Sequence, residues 1–110
     1  MTARELLKNA ANVMGFNLPT DEMLEFGITA INSSLEDLNK ATIETLEETI
    51  EKITETEKQA LIYGTALFLS VAMGDLRSKE CFSPIYHKKR RKAKGEKTFV
   101  LDSLPKGELV

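Results

Sequence analysis

Tryptophan is absent from this 110-residue chain, aromatic residues make up only 6%, and there are one cysteine, one histidine and three prolines. So few aromatic residues beside many Leu, Ile, Ala, Glu and Lys argue against a sandwich or barrel and for helices. With Cys81 alone, no internal disulfide can form, and the N-terminus lacks the basic-then-apolar pattern of a secretory signal. Synthesis inside the cell is the expectation. The longest stretch without a charge, Ala60 to Met73, is fourteen residues. As a helix it would span about 21 Å, short of the roughly 20 apolar residues a membrane crossing takes, and no membrane partner is expected.

Reactive chemistry is equally sparse. The sequence holds no G-x-x-x-x-G-K-[ST], G-x-S-x-G, C-x-x-C or H-E-x-x-H. Cys81 and His87 are the only nucleophile and base of their kinds, six residues apart on either side of Pro84. A working dyad needs hydrogen-bond contact and an orienting third group, which that spacing does not provide. Glu44, Glu47, Glu48, Glu51 and Glu55 form an acidic neighbourhood, but the Asp/Asn/Gly loop spacing of a cation site is missing. No catalytic residue, metal site or cofactor is expected, and the chain reads as a non-enzyme.

What is present fits one compact domain. Hydrophobic residues make up 42% with no low-complexity block, enough for a modest core. The expectation is an all-α fold, a small bundle of four to five helices over residues 1–96, followed by an extended C-terminal arm over residues 97–110. The net charge of −2 conceals a division, because residues 1–86 hold 7 Lys/Arg against 14 Asp/Glu while residues 87–110 hold 8 against 3. Such asymmetry suits a body and tail that meet different surfaces, or each other in neighbouring copies, and equally suits charges that only solvate opposite ends of the chain.

Helix boundaries are marked by side chains that can satisfy orphan amides. Thr2-Ala3-Arg4-Glu5 has the form of a capping box and predicts a short helix to about Val13, with Leu6, Leu7, Ala10 and Ala11 on one face and Gly15 as the stop. Thr20 is the next N-cap, and Asp21 and Glu22 complement the positive end of the helix dipole. In the helix that follows, Leu24, Ile28, Ile31, Leu35 and Leu38 form a predicted apolar seam, and Asn32-Ser33-Ser34 predicts a bend or an early end near residue 33. Residues 41–53 fit two descriptions: Ile43, Leu46, Ile50 and Ile53 suit a helical face, while the same isoleucines with Thr42, Thr45 and Thr49 suit an extended, half-buried connection.

Thr54-Glu55-Thr56-Glu57 is a second capping box and opens the charge-free helix, which runs to about Met73. A helix apolar all round must be covered all round, by its own bundle or by a neighbouring chain. Gly74 ends it and Asp75 caps the next helix, with Leu76, Phe82, Ile85 and Tyr86. Pro84 predicts a kink, or a restart with Ser83 as N-cap.

Six Lys/Arg within seven residues, Lys88, Lys89, Arg90, Arg91, Lys92 and Lys94, continue that helix to Gly95. The run admits three readings: phosphate of nucleic acid held by counterion release, a nuclear-import signal, or a salt-bridging surface for acidic neighbouring copies. No aromatic platform interleaves the charges, against single-strand binding. Beyond it, Phe99, Val100, Leu101 and Leu104 are apolar without helical period and suit an arm that docks on a partner.

Thr54 to Asp75 (T-E-x-E-K-Q-A-L-I-Y-G-T-A-L-F-L-S-V-A-M-G-D) followed by Cys81 to Arg91 (C-F-S-P-I-Y-H-K-K-R-R) resembles the head-tail connector, or head completion and adaptor, proteins of tailed bacteriophages. The resemblance covers roughly residues 20 to 95. It implies an α-helical virion protein, made in the host bacterial cytoplasm, that assembles as a homo-oligomeric ring of about 12–13 subunits beneath the portal protein at the capsid vertex. Such a ring meets a tail-side connector and extends the channel for double-stranded DNA. By that resemblance Phe99, Val100, Leu101 and Leu104 anchor the arm on portal or neighbour, and the basic run contacts DNA or a subunit. The alternative from the residues alone is a small helical nucleic-acid-binding regulator acting through residues 88–97.

Overall fold

The structure, a computed structural model, describes residues 1–95 and is all-α there. Four helices follow in order: α1 (Ala3–Val13), α2 (Asp21–Asp37), α3 (Glu55–Ala72) and α4 (Leu76–Ala93). The expected arm, with Phe99, Val100, Leu101 and Leu104, lies outside the described residues.

Every helix starts on the cap its sequence announces. Thr2 accepts from the Glu5 amide while the Glu5 carboxylate accepts from the Thr2 amide, and Thr54 and Glu57 repeat the arrangement. Thr20 and Asp75 cap α2 and α4 through Met23 and Ser78. Gly74, at φ +73°, makes the left-handed turn that lets α4 start directly after α3.

The apolar helix α3 is the centre. Its buried residues, Ala60, Leu61, Ile62, Gly64, Thr65, Ala66, Leu67, Leu69 and Ser70, go round the helix, and α1, α2 and α4 all pack on it. The chain's own helices thus provide the cover over this stretch; Val71, 54% exposed, emerges only at the end.

Two expectations for α2 are corrected. The helix runs through Asn32-Ser33-Ser34 without interruption to Asp37. Its buried face is Met23, Gly27, Ala30, Ile31, Ser34 and Leu35, with Leu38 at the cap, whereas Leu24 is 39% exposed and Ile28 only half-buried. Small residues decide this rotation. A Cβ on Gly27 would come within 2.8 Å of Leu7 Cδ2, so the glycine admits α1 at close range.

Residues between α2 and α3 are irregular, resolving the ambiguity over 41–53 in favour of a connection with buried anchors Ile43, Leu46 and Ile50. The connection serves α1: the carbonyls of Glu48 and Leu46 accept from the Ala3 and Arg4 amides at 2.8 Å each, satisfying donors at a helix N-terminus that have no partner within the helix. Asn32, whose presence in a helix interior argued for a break, instead pairs in both directions with the Ile43 backbone, at 2.8 and 2.9 Å.

Pro84 does not restart α4. The helix is continuous across it and Ser83 is not a cap. Pro84 and Glu80 are both exposed, so the helical bond that the missing N–H forfeits lies on the side open to water.

At the crossing of α2, α3 and α4, a Cβ on Gly64 would meet Ser34 Oγ and would lie 2.7 Å from Tyr86 Cε1. Gly64→Ala should therefore destabilise the fold, because overpacking costs about 1–3 kcal/mol and exceeds the roughly 1 kcal/mol that Ala gains in helix propensity. Thermal denaturation should show a lower Tm, and part of the loss should return in the Ser34→Ala background, where the oxygen the new methyl meets has been removed.

Candidate functional site

Three features of α4 meet in its second half: a buried tyrosine, a pair of inward-turned cations and an outward basic face. Phe82 and Tyr86, one turn apart, are the buried residues of the helix. Tyr86 lies over Gly64, its ring edge-on to Phe68 at 5.8 Å and 71°, and Phe82 sits 6.2 Å from the Tyr63 ring. The Tyr86 hydroxyl donates to Asp37 Oδ2 at 2.6 Å, tying α4 to the end of α2. Burial, and then the hydrogen bond to the Asp37 carboxylate and its charge, push the phenol well above its usual value.

Asp37 is the functional-looking residue that sequence reasoning missed. A signal was there: an acid in the last turn of a helix opposes the dipole and calls for a partner. Arg90 also reaches it, Nε to Oδ2 at 3.6 Å, an ion pair without a hydrogen bond. Lys89 places Nζ 5.5 Å from the centroid of the Tyr63 ring, within cation–π range.

The six basic candidates therefore divide. Lys89 and Arg90 are half-buried and hold α4 against α2 and α3, whereas Lys88, Arg91, Lys92 and Lys94 are exposed. All lie at the C-terminal end of α4, where cations complement the dipole. Lys89 and Lys92 line a shallow cleft with Glu55, Thr56 and Gln59 at the start of α3. Arg77, not among the sequence candidates, is exposed and falls on the same side as Lys88 and Arg91 by helical spacing.

The remaining chemistry is not brought together. Cys81 and His87 are both exposed on α4, and six residues set them about 120° apart around the helix and roughly 9 Å along it. Among the described residues no three His, Cys, Asp or Glu side chains form a metal-sized group. Of the clustered glutamates, Glu47 pairs with Arg4 at 2.6 Å and Glu48 accepts from the Glu44 and Thr45 amides. Among the described residues no helix is long and apolar enough to cross a membrane.

Comparison with known proteins found no matching family model, no matching curated protein and no matching solved structure.

The tyrosine generates a pH prediction. The native state keeps the Tyr86 proton after the unfolded chain has lost it near pH 10, so this contribution to stability is complete below about pH 10 and is lost as the pH rises from there towards the native value. Denaturant unfolding should show wild type losing stability above that point by up to about 1.4 kcal/mol per pH unit more than Tyr86→Phe. At neutral pH the same variant should be less stable by about 1.5–3 kcal/mol, the range for a hydrogen bond to a charged group.

Proposed function

We propose that this chain is a non-enzymatic structural protein of a tailed-phage virion, an adaptor that forms a ring under the portal at the capsid vertex and carries the DNA channel towards the tail. The observation that carries the reading is the convergence of the residues on which the resemblance rests. Tyr63-Gly64 of α3 and Phe82 and Tyr86 of α4, some twenty residues apart, form one packed junction, with Gly64 leaving the room that Tyr86 occupies. The pattern thus has a packing cause, which sequence coincidence alone does not supply.

The element order supports the same reading: a long second helix, an irregular connection, an apolar central helix ending at Gly74-Asp75, then a helix with aromatic and basic halves. The regulator alternative is weaker by comparison, because two of its six cations are turned to Asp37 and Tyr63. On the adaptor reading, the partners are further copies, the portal, the tail-side connector and double-stranded DNA in the channel.

Removal of residues 98–110 tests the role given to the arm. The truncated chain should keep its helical circular dichroism while losing ring or portal association in sedimentation. Retention of full association after truncation would sink the arm as anchor.

A further inference from the structure

Two helices present charged stripes of opposite sign and matched length. On α2, Glu22, Glu25 and Glu36 are exposed and recur at spacings of three and eleven residues, which places them on one side, away from the buried Ile31 and Ser34. On α4, Arg77, Lys88 and Arg91 are exposed at spacings of eleven and three, away from Phe82 and Tyr86, with the exposed Glu80 as the one acid on the same side, so that the basic charge is concentrated at Lys88 and Arg91. Each stripe runs over fifteen residues, about 21 Å of helix from first to last. No ion pair among the described residues engages any of the six; the pairs formed use Arg4 with Glu47, Lys40 with Glu57, and Arg90 with Asp37. The helices themselves both pack on α3, and side chains at the end of α2 link them through Asp37.

We propose that the basic stripe of α4 docks on the acidic stripe of α2 in a second copy of this chain. The contact pairs two different faces of the subunit; made once between neighbours rather than twice as in a twofold dimer, it is heterologous and propagates from copy to copy, closing into a ring when the rotation per step allows. It identifies the subunit contact of the adaptor reading and rests on that reading for closure. Single exposed ion pairs contribute little, but a row of them fixes orientation and register and speeds encounter. Leu76, 69% exposed, and Ile85, 36% exposed, flank the basic stripe and add apolar area. A nucleic-acid duplex is the less fitting occupant, because it would approach a body with 14 acidic against 7 basic residues over positions 1–86, whereas a second copy turns that same excess into attraction.

Reciprocal charge reversal tests this. One full-length variant carries Lys88→Glu and Arg91→Glu, the other Glu25→Lys and Glu36→Lys; circular dichroism checks that helix content is kept. By sedimentation at low salt, wild type should self-associate, with the association falling as salt rises and screens the stripes. Each variant alone should associate at least about tenfold more weakly, since like charges then face each other. The equimolar mixture should reassemble, because every junction between unlike variants restores opposite charges. Wild-type-like association of either variant alone, or failure of the mixture to reassemble, would overturn the stripe contact while leaving a ring built on other faces intact. Wild type that stays monomeric at low salt would also overturn it. Loss of duplex-DNA binding in the Lys88→Glu/Arg91→Glu variant with self-association unchanged would reassign the α4 face to nucleic acid.

Discussion

The rest of the structure depends on keeping α3 out of water. Its run from Ala60 to Ser70 is buried around its circumference except at Tyr63 and Phe68, which are half-buried. Three helices in a chain of this size must therefore be spent on one. Close approach is what makes that number sufficient. Gly64 and Gly27 remove side chains where a neighbour has to come in, and Ala60 and Ala66 keep other parts of α3 shallow. Ser34, Gly64 and Tyr86 then share one crossing, where any added atom meets another. Close packing of this kind makes the junction sensitive to volume and gives α4 one seating.

The polar side of the same junction decides where charge appears on the surface. Asp37 takes Tyr86 and Arg90, and Tyr63 takes Lys89, so part of the basic run is used within the subunit. What remains of it faces outward on a helix fixed at its middle by Phe82 and Tyr86. A rigid basic face on one side of α3 and a rigid acidic face on another give the subunit two unlike surfaces. A heterologous contact between copies, the kind that closes into a ring, needs such a pair.

Much of this is legible in the sequence. Local signals were reliable: Thr2 with Glu5, Thr20, Thr54 with Glu57, and Asp75 each capped the helix they announced, and the absence of charge from Ala60 to Met73 identified the central helix. Errors arose where the outcome depended on a distant partner. Asn32 looked like a helix breaker because its amide competes with the backbone, yet Ile43 occupies that amide. The largest apolar residues of α2 predict one seam, whereas Gly27 and Ser34 set the actual face by admitting their neighbours. Of the two outcomes Pro84 predicts, a kink or a restart at Ser83, the restart does not occur, because a proline on the exposed side of a well-anchored helix leaves the helix continuous. Charge counting could not separate Lys89 and Arg90 from the other four cations, since their partners, Tyr63 and Asp37, are far away in sequence.

The claim that this fold is an assembling ring subunit is tested most directly by the mass and shape of the purified full-length protein at high concentration, from light scattering and negative-stain microscopy. The account predicts closed rings of about a dozen copies, as a heterologous contact repeated to closure requires. A stable twofold dimer that persists at every concentration would contradict it, because a dimer closed on one face leaves no free surface from which a ring can grow.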